Sequence, residues 1–435
     1  MDKKIQAVET SRNLILGEAF KCLYRMTETA FTRDRCLTFA LVMVIVLRKS
    51  MKSLQLVMNE VTTWLDMPPI TASAFSQARY KLKHEAFIAL NQQAVVDTMY
   101  GDDDYRTFWG FRVLAIDGSK IVLPDTDEVR EEFGTIAYSN GHSAERQGER
   151  PYAQASVLYD VLNRVALDAR LGRAKAYEVD LAVAHLDHTR PGDLILMDRN
   201  YPSYRMIAEL TQRDRHFVIR CSAASFAQAR QMLKGQGPDS QTVTLKPCSA
   251  QAPVIRQLGL PETLTVRFVR VRLSTGEWEV LVTSLLDEAC YPTEEFQELY
   301  DARWGIETFY GVLKTRLDLE NFTGLGAEAV KQDFHATVYL TGLESILIGP
   351  AQAQLEARPT RHPQQVNQAV AFHAIKAQAL DMLLSNMDPD TLCRRLTELF
   401  LMNPTSQRQD RNPPRKKSSA RALLDFHQRQ KKHCF

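Results

Sequence analysis

The segment FRVLAIDGSKIVLP, Phe111–Pro124, decides how the chain is read, because a strand-like hydrophobic run is broken near its middle by Asp117 and Gly118. An unpaired carboxylate buried in such a run is expensive, so a bound cation or an ion-pair partner is expected beside it. Working outward, ASVLYDVLNRVALDARL, Ala155–Leu171, adds two more strand-like runs with a turn near Asn163. A helical stretch from Glu178 to His188 follows, then the strand DLILMD ending at Asp198, a helix from Pro202 to about Gln212, and the strand HFVIRCS.

Three strands, helix, strand, helix, strand is the order of a ribonuclease H-like core, a mixed α/β sheet whose carboxylates gather at strand ends. Asp198 stands at such an end, just before a helix, where α/β folds put site residues. Either aspartate alone reads as a cap or turn residue.

Between about Ala224 and Glu288 the sequence turns strongly strand-like in TLTVRFVRVRLSTGEWEVLVTSLL, with STGE as a hairpin turn. The fold class expected is therefore multi-domain α/β: a ribonuclease H-like mixed sheet with a β-strand insertion, flanked by helical N- and C-terminal segments. The expected boundaries are 1–105 for a helical DNA-binding domain, 106–223 for the first part of the core and 224–289 for the insertion. The core resumes over 290–350, and 351–435 forms a helical C-terminal region with a basic tail.

In the N-terminal part, KSLQLVMNEVTTWL, the break at Pro68 and Pro69, and ITASAFSQARYKLKHEAFIAL give helix, break and helix, the outline of a helix-turn-helix. Thr71 or Ser73 caps the second helix, and Gln77, Arg79 and Lys81, with Ser76, Tyr80 and Lys83, offer the polar, basic face that groove reading needs. An ordinary surface helix with a mixed polar face explains the same residues.

The charge of the 435 residues is only +2, but it is unevenly spread. From Arg408 to Phe435 there are nine Lys or Arg against Asp410 and Asp425, a surplus of +7 that leaves the rest at −5. Such a tail meets phosphate or is simply solvated. The seven cysteines are scattered and none stands at zinc-ligand spacing with a histidine, which fits a reducing cytoplasm. The longest apolar run, Leu37–Leu47, falls short of the roughly 20 residues a bilayer needs and is expected as a buried helix; no membrane partner is implied.

The segment YDARWGIETFYGVLKTRL, Tyr300–Leu317, carries the third acid. At roughly 100° per residue, with Tyr300 at zero, Arg303 falls near about −60°, Glu307 near about −20° and Lys314 near about −40°. One stripe then holds a phenol, a guanidinium, a carboxylate and an ammonium, while Ile306, Phe309, Tyr310, Leu313 and Leu317 face the core. A surface salt-bridge ladder explains Arg303 with Glu307, though not Tyr300 and Trp304 beside them. Phosphodiester chemistry explains the set: Glu307 completes a metal site, Arg303 and Lys314 neutralise phosphates, and Tyr300 and Trp304 pack on sugar or an unstacked base.

The spacing Tyr300, Arg303, Glu307, Lys314 resembles the Y-R-E-K signature of insertion sequence 4-type transposases, a branch of the DDE superfamily. The resemblance covers roughly Val113–Thr323, about half of the chain. It implies a DNA transposase whose acids Asp117, Asp198 and Glu307 are catalytic and hold two Mg²⁺ ions, with Mn²⁺ as substitute. It further implies cut-and-paste excision and strand transfer through a hairpin, double-stranded DNA partners (transposon ends and target) and a homodimer in the synaptic complex. A bacterial cytoplasmic protein, nucleoid-associated when on DNA, is the implied setting. In one departure, DRNYPS carries Asn200 where relatives have glycine, and asparagine tolerates left-handed backbone better than most residues.

Three rivals share some of these features. A ribonuclease H-like nuclease would use the same acids without joining, and a non-catalytic DNA-binding descendant of a transposase would need none of them. A glycosidase-type acid pair requires a sugar cleft that nothing here implies. His142, His185 and His188 read as surface or cap residues, and Asp125, Asp127 and Glu178 as turn or helix-start residues, with Glu178 the one worth following.

Overall fold

The four residues Val113–Ile116 are all fully buried, as a strand covered on both faces must be. They begin β1 (Val113–Val122) at the heart of the sheet. The computed structural model describes all residues except 1, 34, 51, 140–146, 274–275 and 408–435. The basic tail, His142 and part of the STGE turn lie outside the described residues.

Beside β1 come β2 (Thr135–Ser139), β3 (Gln147–Asp160), β4 (Val165–Arg173), β5 (Leu194–Met197) and β6 (His216–Cys221). Further on are β7 (Ser240–Leu245), β8 (Leu264–Arg272) and β9 (Trp278–Thr283). These strands form one nine-stranded sheet in the order β2-β3-β1-β5-β6-β9-β8-β7, with β4 on β3. Its centre, β4-β3-β1-β5-β6, has the strand order of a ribonuclease H-like core, as expected from the sequence. β5 runs parallel to both β1 and β6, and the β6–β9, β9–β8 and β8–β7 pairs are antiparallel, so the sheet is mixed.

Two details go beyond the sequence reading. The short strand β2 pairs antiparallel with β3, Thr135 opposite Pro151, and its polar ends gave no periodic signal. The β-strand insertion expected between Asp198 and Glu307 is present as β7, β8 and β9, and it continues the core sheet, since β9 pairs directly with β6, Val218 opposite Thr283 and Cys221 opposite Val280. Two helices, Ala227–Leu233 and Ala252–Gln257, are interspersed with its strands.

Two compact units divide the chain: Tyr105–Lys120 with Gln154–Tyr310, and Met1–Asp104 with Ile121–Ala153 and Gly311–Phe435. The boundaries expected from sequence cut across them, because the helical segments from both ends of the chain gather in one unit. There the helix Ala327–Glu356 packs against Phe39–Leu47, Glu85–Leu90 and Pro389–Met402. Phe39 and Leu41 to Leu47 are buried, as the apolar run required. No helix among the described residues is long and apolar enough to cross a membrane.

Candidate active site

Register brings the two aspartates together. β1 and β5 run parallel with Ile116 opposite Met197, and each aspartate is the next residue on its own strand. Asp117 and Asp198 are both half-buried. Asp198 Oδ1 accepts the Asn200 backbone N–H at 2.8 Å and thus begins a tight turn. Asn200 is not among the residues with positive φ, so this turn does not need the glycine that asparagine replaces.

The third acid arrives from a broken helix rather than the continuous one that the helical projection assumed. One helix spans Phe296–Asp301, a second Trp304–Gly311, and a widened π turn covers Val312–Arg316. The turn at Ala302 and Arg303 interrupts the helix between Tyr300 and Glu307, while the Arg303 guanidinium lies 5.4 Å from the Tyr300 ring centroid. Tyr300 is buried and its hydroxyl donates to the Met197 carbonyl at 3.2 Å. It supports the strand end that bears Asp198, and does not offer its ring to sugar or base.

Arg303 is 4% exposed, and its Nη2 donates to Glu307 Oε1 at 2.8 Å. Its Nε is buried with no hydrogen-bond partner among the described residues. Trp304, by contrast, is 42% exposed and lies within cation–π reach of Arg303. Lys314, in the helical unit, is half-buried with Nζ 3.9 Å from Glu320.

The electrostatics tie the acids into one field. Burial pushes the Asp117 carboxyl up to about 7, and the charges of Asp198 and Glu307 add to the rise while the Gly118 N–H and Arg303 oppose it. The Tyr310 hydroxyl donates to the Asp117 carbonyl at 2.9 Å and fixes its backbone. The oxygens are spread wider than a one-ion cage: Asp117, Asp198 and Glu307 do not bring one atom each within 4.8 Å of one another. All donors are carboxylate oxygens, which suit a hard divalent ion such as Mg²⁺. A set of anions at low exposure, partly held neutral, is the setting a bound cation relieves, so the residues fit the metal that the sequence implied.

Gly118 has a steric reason. A Cβ there would lie 2.6 Å from Gln154 Nε2 and 3.3 Å from Glu178 Oε1. Glu178, expected as a helix-start residue, does begin the helix Glu178–His185, and it also accepts from Gln154 Nε2 at 3.1 Å. Tyr201 in the DRNYPS turn is 1% exposed, with a buried hydroxyl that has no partner among the described residues. Sequence reasoning passed over Gln154 and Tyr201, since neither residue type signals a site by itself.

Thr71 caps the helix Ala72–Arg79, accepting from Ala74 N–H at 3.1 Å. Gln77 and Lys81 are exposed and line a cavity of about 660 Å³ with Arg33 and Arg35 and, among the described residues, no acidic residue. Arg79 is a correction: it is buried, donating to Gln332, Thr323 and the Ala329 carbonyl and pairing with Asp333 at 2.7 Å. A guanidinium with that many internal partners fastens the helix and does not reach for DNA. His185 is also buried, not superficial, bonding Asp168 at 2.8 Å and Ser156 at 3.0 Å.

Residues 109–340 match the protein family described as Transposase DDE domain. The chain is 26% identical over 261 residues to the "Transposase InsG for insertion sequence element IS4" of Escherichia coli (strain K12), covering 59% of this chain and 56% of that protein. It is also 26% identical over 155 residues to the "Putative transposase InsZ" of the same strain, covering 34% of this chain and 50% of that one. The chain thus spans about half the length of these curated relatives. Among solved structures, the piggyBac transposase synaptic complex with hairpin DNA aligns with a TM-score of 0.43 at 9% identity, over 97% of this chain and 89% of that one.

Proposed function

We propose that this chain, which belongs to the DDE transposase domain family, cuts and joins DNA at a divalent-cation centre formed by Asp117, Asp198 and Glu307. The observation that carries the reading is the parallel register of β1 and β5, Ile116 opposite Met197, which sets Asp117 beside Asp198; burial raises the Asp117 carboxyl to about 7, and the charges of Asp198 and Glu307 add to the rise. Asp117 and Asp198 are the metal-holding carboxylates of the two strands, and Glu307 is that of the helix. Two Mg²⁺ ions, or Mn²⁺ in their place, supply Lewis-acid activation of the attacking hydroxyl and stabilisation of the leaving 3′ oxygen when bound there.

The protein's own groups prepare and frame that chemistry. Asp117 gives up its proton to act as a ligand, and Arg303 holds Glu307 in position through its 2.8 Å bond. Tyr300 and Tyr310 secure the backbone beside Asp198 and at Asp117. Trp304 offers an exposed ring on which an unstacked base can rest, as a hairpin end requires, and Lys314 offers charge to a phosphate.

In the N-terminal part, Gln77 and Lys81 meet the transposon ends, joined by Arg33 and Arg35 at the phosphates. Excision proceeds through a hairpin and ends in strand transfer to target DNA, and two copies hold the two ends in a synaptic homodimer. The setting is the bacterial cytoplasm, on the nucleoid.

The test is cleavage of a labelled duplex carrying the element's end, with Mg²⁺, for wild type, Asp198→Ala and Glu307→Ala. Nicking and joining by wild type alone, with all three proteins binding the duplex, is the expected result. If all three bind and none cuts with either Mg²⁺ or Mn²⁺, the chain is a DNA-binding protein without this chemistry.

A further inference from the structure

We propose that Glu178 is a fourth carboxylate of the divalent-cation centre, oriented by Gln154 and given its approach to Asp117 by the missing side chain at Gly118. The inference rests on the metal-centre reading above and extends it to a residue outside the D, D and E of the family pattern.

Position is the first argument. Gln154 is 2% exposed and donates through Nε2 to Glu178 Oε1 at 3.1 Å, which leaves Oε2 of the same carboxylate available. The bond aims the carboxylate back at β1, where a Cβ on Gly118 would stand only 3.3 Å from Oε1. Gly118 directly follows Asp117, so Glu178 comes to the strand position next to the first aspartate. The N-cap of this helix is Tyr177, which makes no side-chain capping bond, and the carboxylate of Glu178, its first residue, is engaged by Gln154.

Tyr201 is the second, independent argument. Its hydroxyl is buried, has no hydrogen-bond partner among the described residues, and feels the charges of Asp117, Glu178 and Asp198. An orphaned buried hydroxyl costs free energy unless something meets it. A hydrated cation held among these three carboxylates would supply that partner through its water. Burial and the Asp198 charge also raise the Glu178 carboxyl, in keeping with a place in the same field.

The function that follows is ion retention. Three acids must serve two ions whose coordination otherwise relies on water and phosphate oxygens. A fourth carboxylate, bound directly or through water, holds an ion before DNA arrives. Removing such a supporting group typically costs about 10- to 100-fold in metal affinity.

The experiment titrates the full-length chain with Mn²⁺ and reads free ion by electron paramagnetic resonance, for wild type, Glu178→Gln and Asp117→Asn. Glu178→Gln keeps an acceptor for Gln154, and its metal-free thermal midpoint is measured alongside. The expected result is Mn²⁺ binding weakened about tenfold or more in Glu178→Gln at a metal-free midpoint no lower than wild type, and weakened at least as much in Asp117→Asn. Wild-type binding by Glu178→Gln with weakened binding by Asp117→Asn overturns the fourth-carboxylate assignment alone. Wild-type binding by both variants overturns the metal-centre reading beneath it. Should Glu178→Gln unfold, Glu178→Asp carries the test: the charge is kept but drawn back by one methylene, and unchanged Mn²⁺ binding by this variant overturns the proposal.

Discussion

Arg303 Nη2 donates to Glu307 Oε1 at 2.8 Å from a guanidinium that is almost entirely buried, so the acid is held by a partner that solvent hardly reaches. The pair is one helical turn apart, yet it spans the start of the Trp304–Gly311 helix and fixes the direction in which the acid leaves it. A ladder on an exposed face would be loosened by salt and side-chain entropy. This one is sheltered on the arginine side.

Arg303→Ala is accordingly expected to lower the single-turnover cleavage rate by about 10²- to 10³-fold, the scale seen when one preorganised charge-stabilising donor is lost. Arg303→Lys rescues little, because an ammonium lacks the planar fork. Rates on a pre-bound duplex check this, and wild-type rates in Arg303→Lys would show that charge alone suffices.

Gly118→Ala forces its Cβ against Gln154 Nε2 at 2.6 Å, and Gln154 is buried and engaged with Glu178. Overpacking of this kind costs about 1–3 kcal/mol, with Gly118→Val at or above the upper end since Ala155 O stands 3.4 Å away. Denaturant unfolding of both variants measures the cost. An unchanged midpoint for Gly118→Val would mean that Gln154 moves aside freely.

The Asp117 carboxyl couples stability to pH. Its folded-state value, about 7, lies above the ordinary value of 3.8, so the folded state binds the proton more tightly. The resulting stabilisation is complete below the ordinary value and is lost as pH rises through about 7. In a chelator, the thermal midpoint should therefore fall across this window, and fall less in Asp117→Asn. Mg²⁺ should raise the midpoint more at about pH 8 than at about pH 5, because ligands must shed protons to bind metal. An equal Mg²⁺ effect at both pH values would remove Asp117 from the centre.

Arg79 and its helix neighbours should separate cleanly. Arg79→Met strands Asp333 without its buried partner and is expected to cost about 3–5 kcal/mol of stability. Gln77→Ala and Lys81→Ala leave stability near wild type and weaken DNA binding, with the salt-dependence slope reduced by about 1 for Lys81. Unfolding curves and binding at several salt concentrations distinguish the two behaviours.

Much of the site was legible in the sequence because charges in hydrophobic strands are conspicuous. Asp117 interrupts an apolar run and Asp198 ends one, and the strand order that sets them side by side follows from the alternation of strand and helix. Glu307 and Arg303 were legible from their one-turn spacing. Tyr300 was misread because its spacing from Arg303 shows that the two are neighbours, as they are, but not that the ring is buried and its hydroxyl spent on the Met197 carbonyl. Arg79 was misread because its partner, Asp333, lies far along the chain and local patterning does not show such pairs. The pairing of β9 with β6 was hidden for the same reason: both strands are equally strand-like whether they share a sheet or not.

That pairing bears on the order of events during synthesis. β6 reaches its antiparallel neighbour β9 only after the whole intervening stretch has been made, and Glu307 follows later still. Long-range pairings of this sort form late and slowly. A nascent chain that already exposes both aspartates therefore lacks the finished sheet and the third acid, so the three carboxylates can meet only after Glu307 has been made.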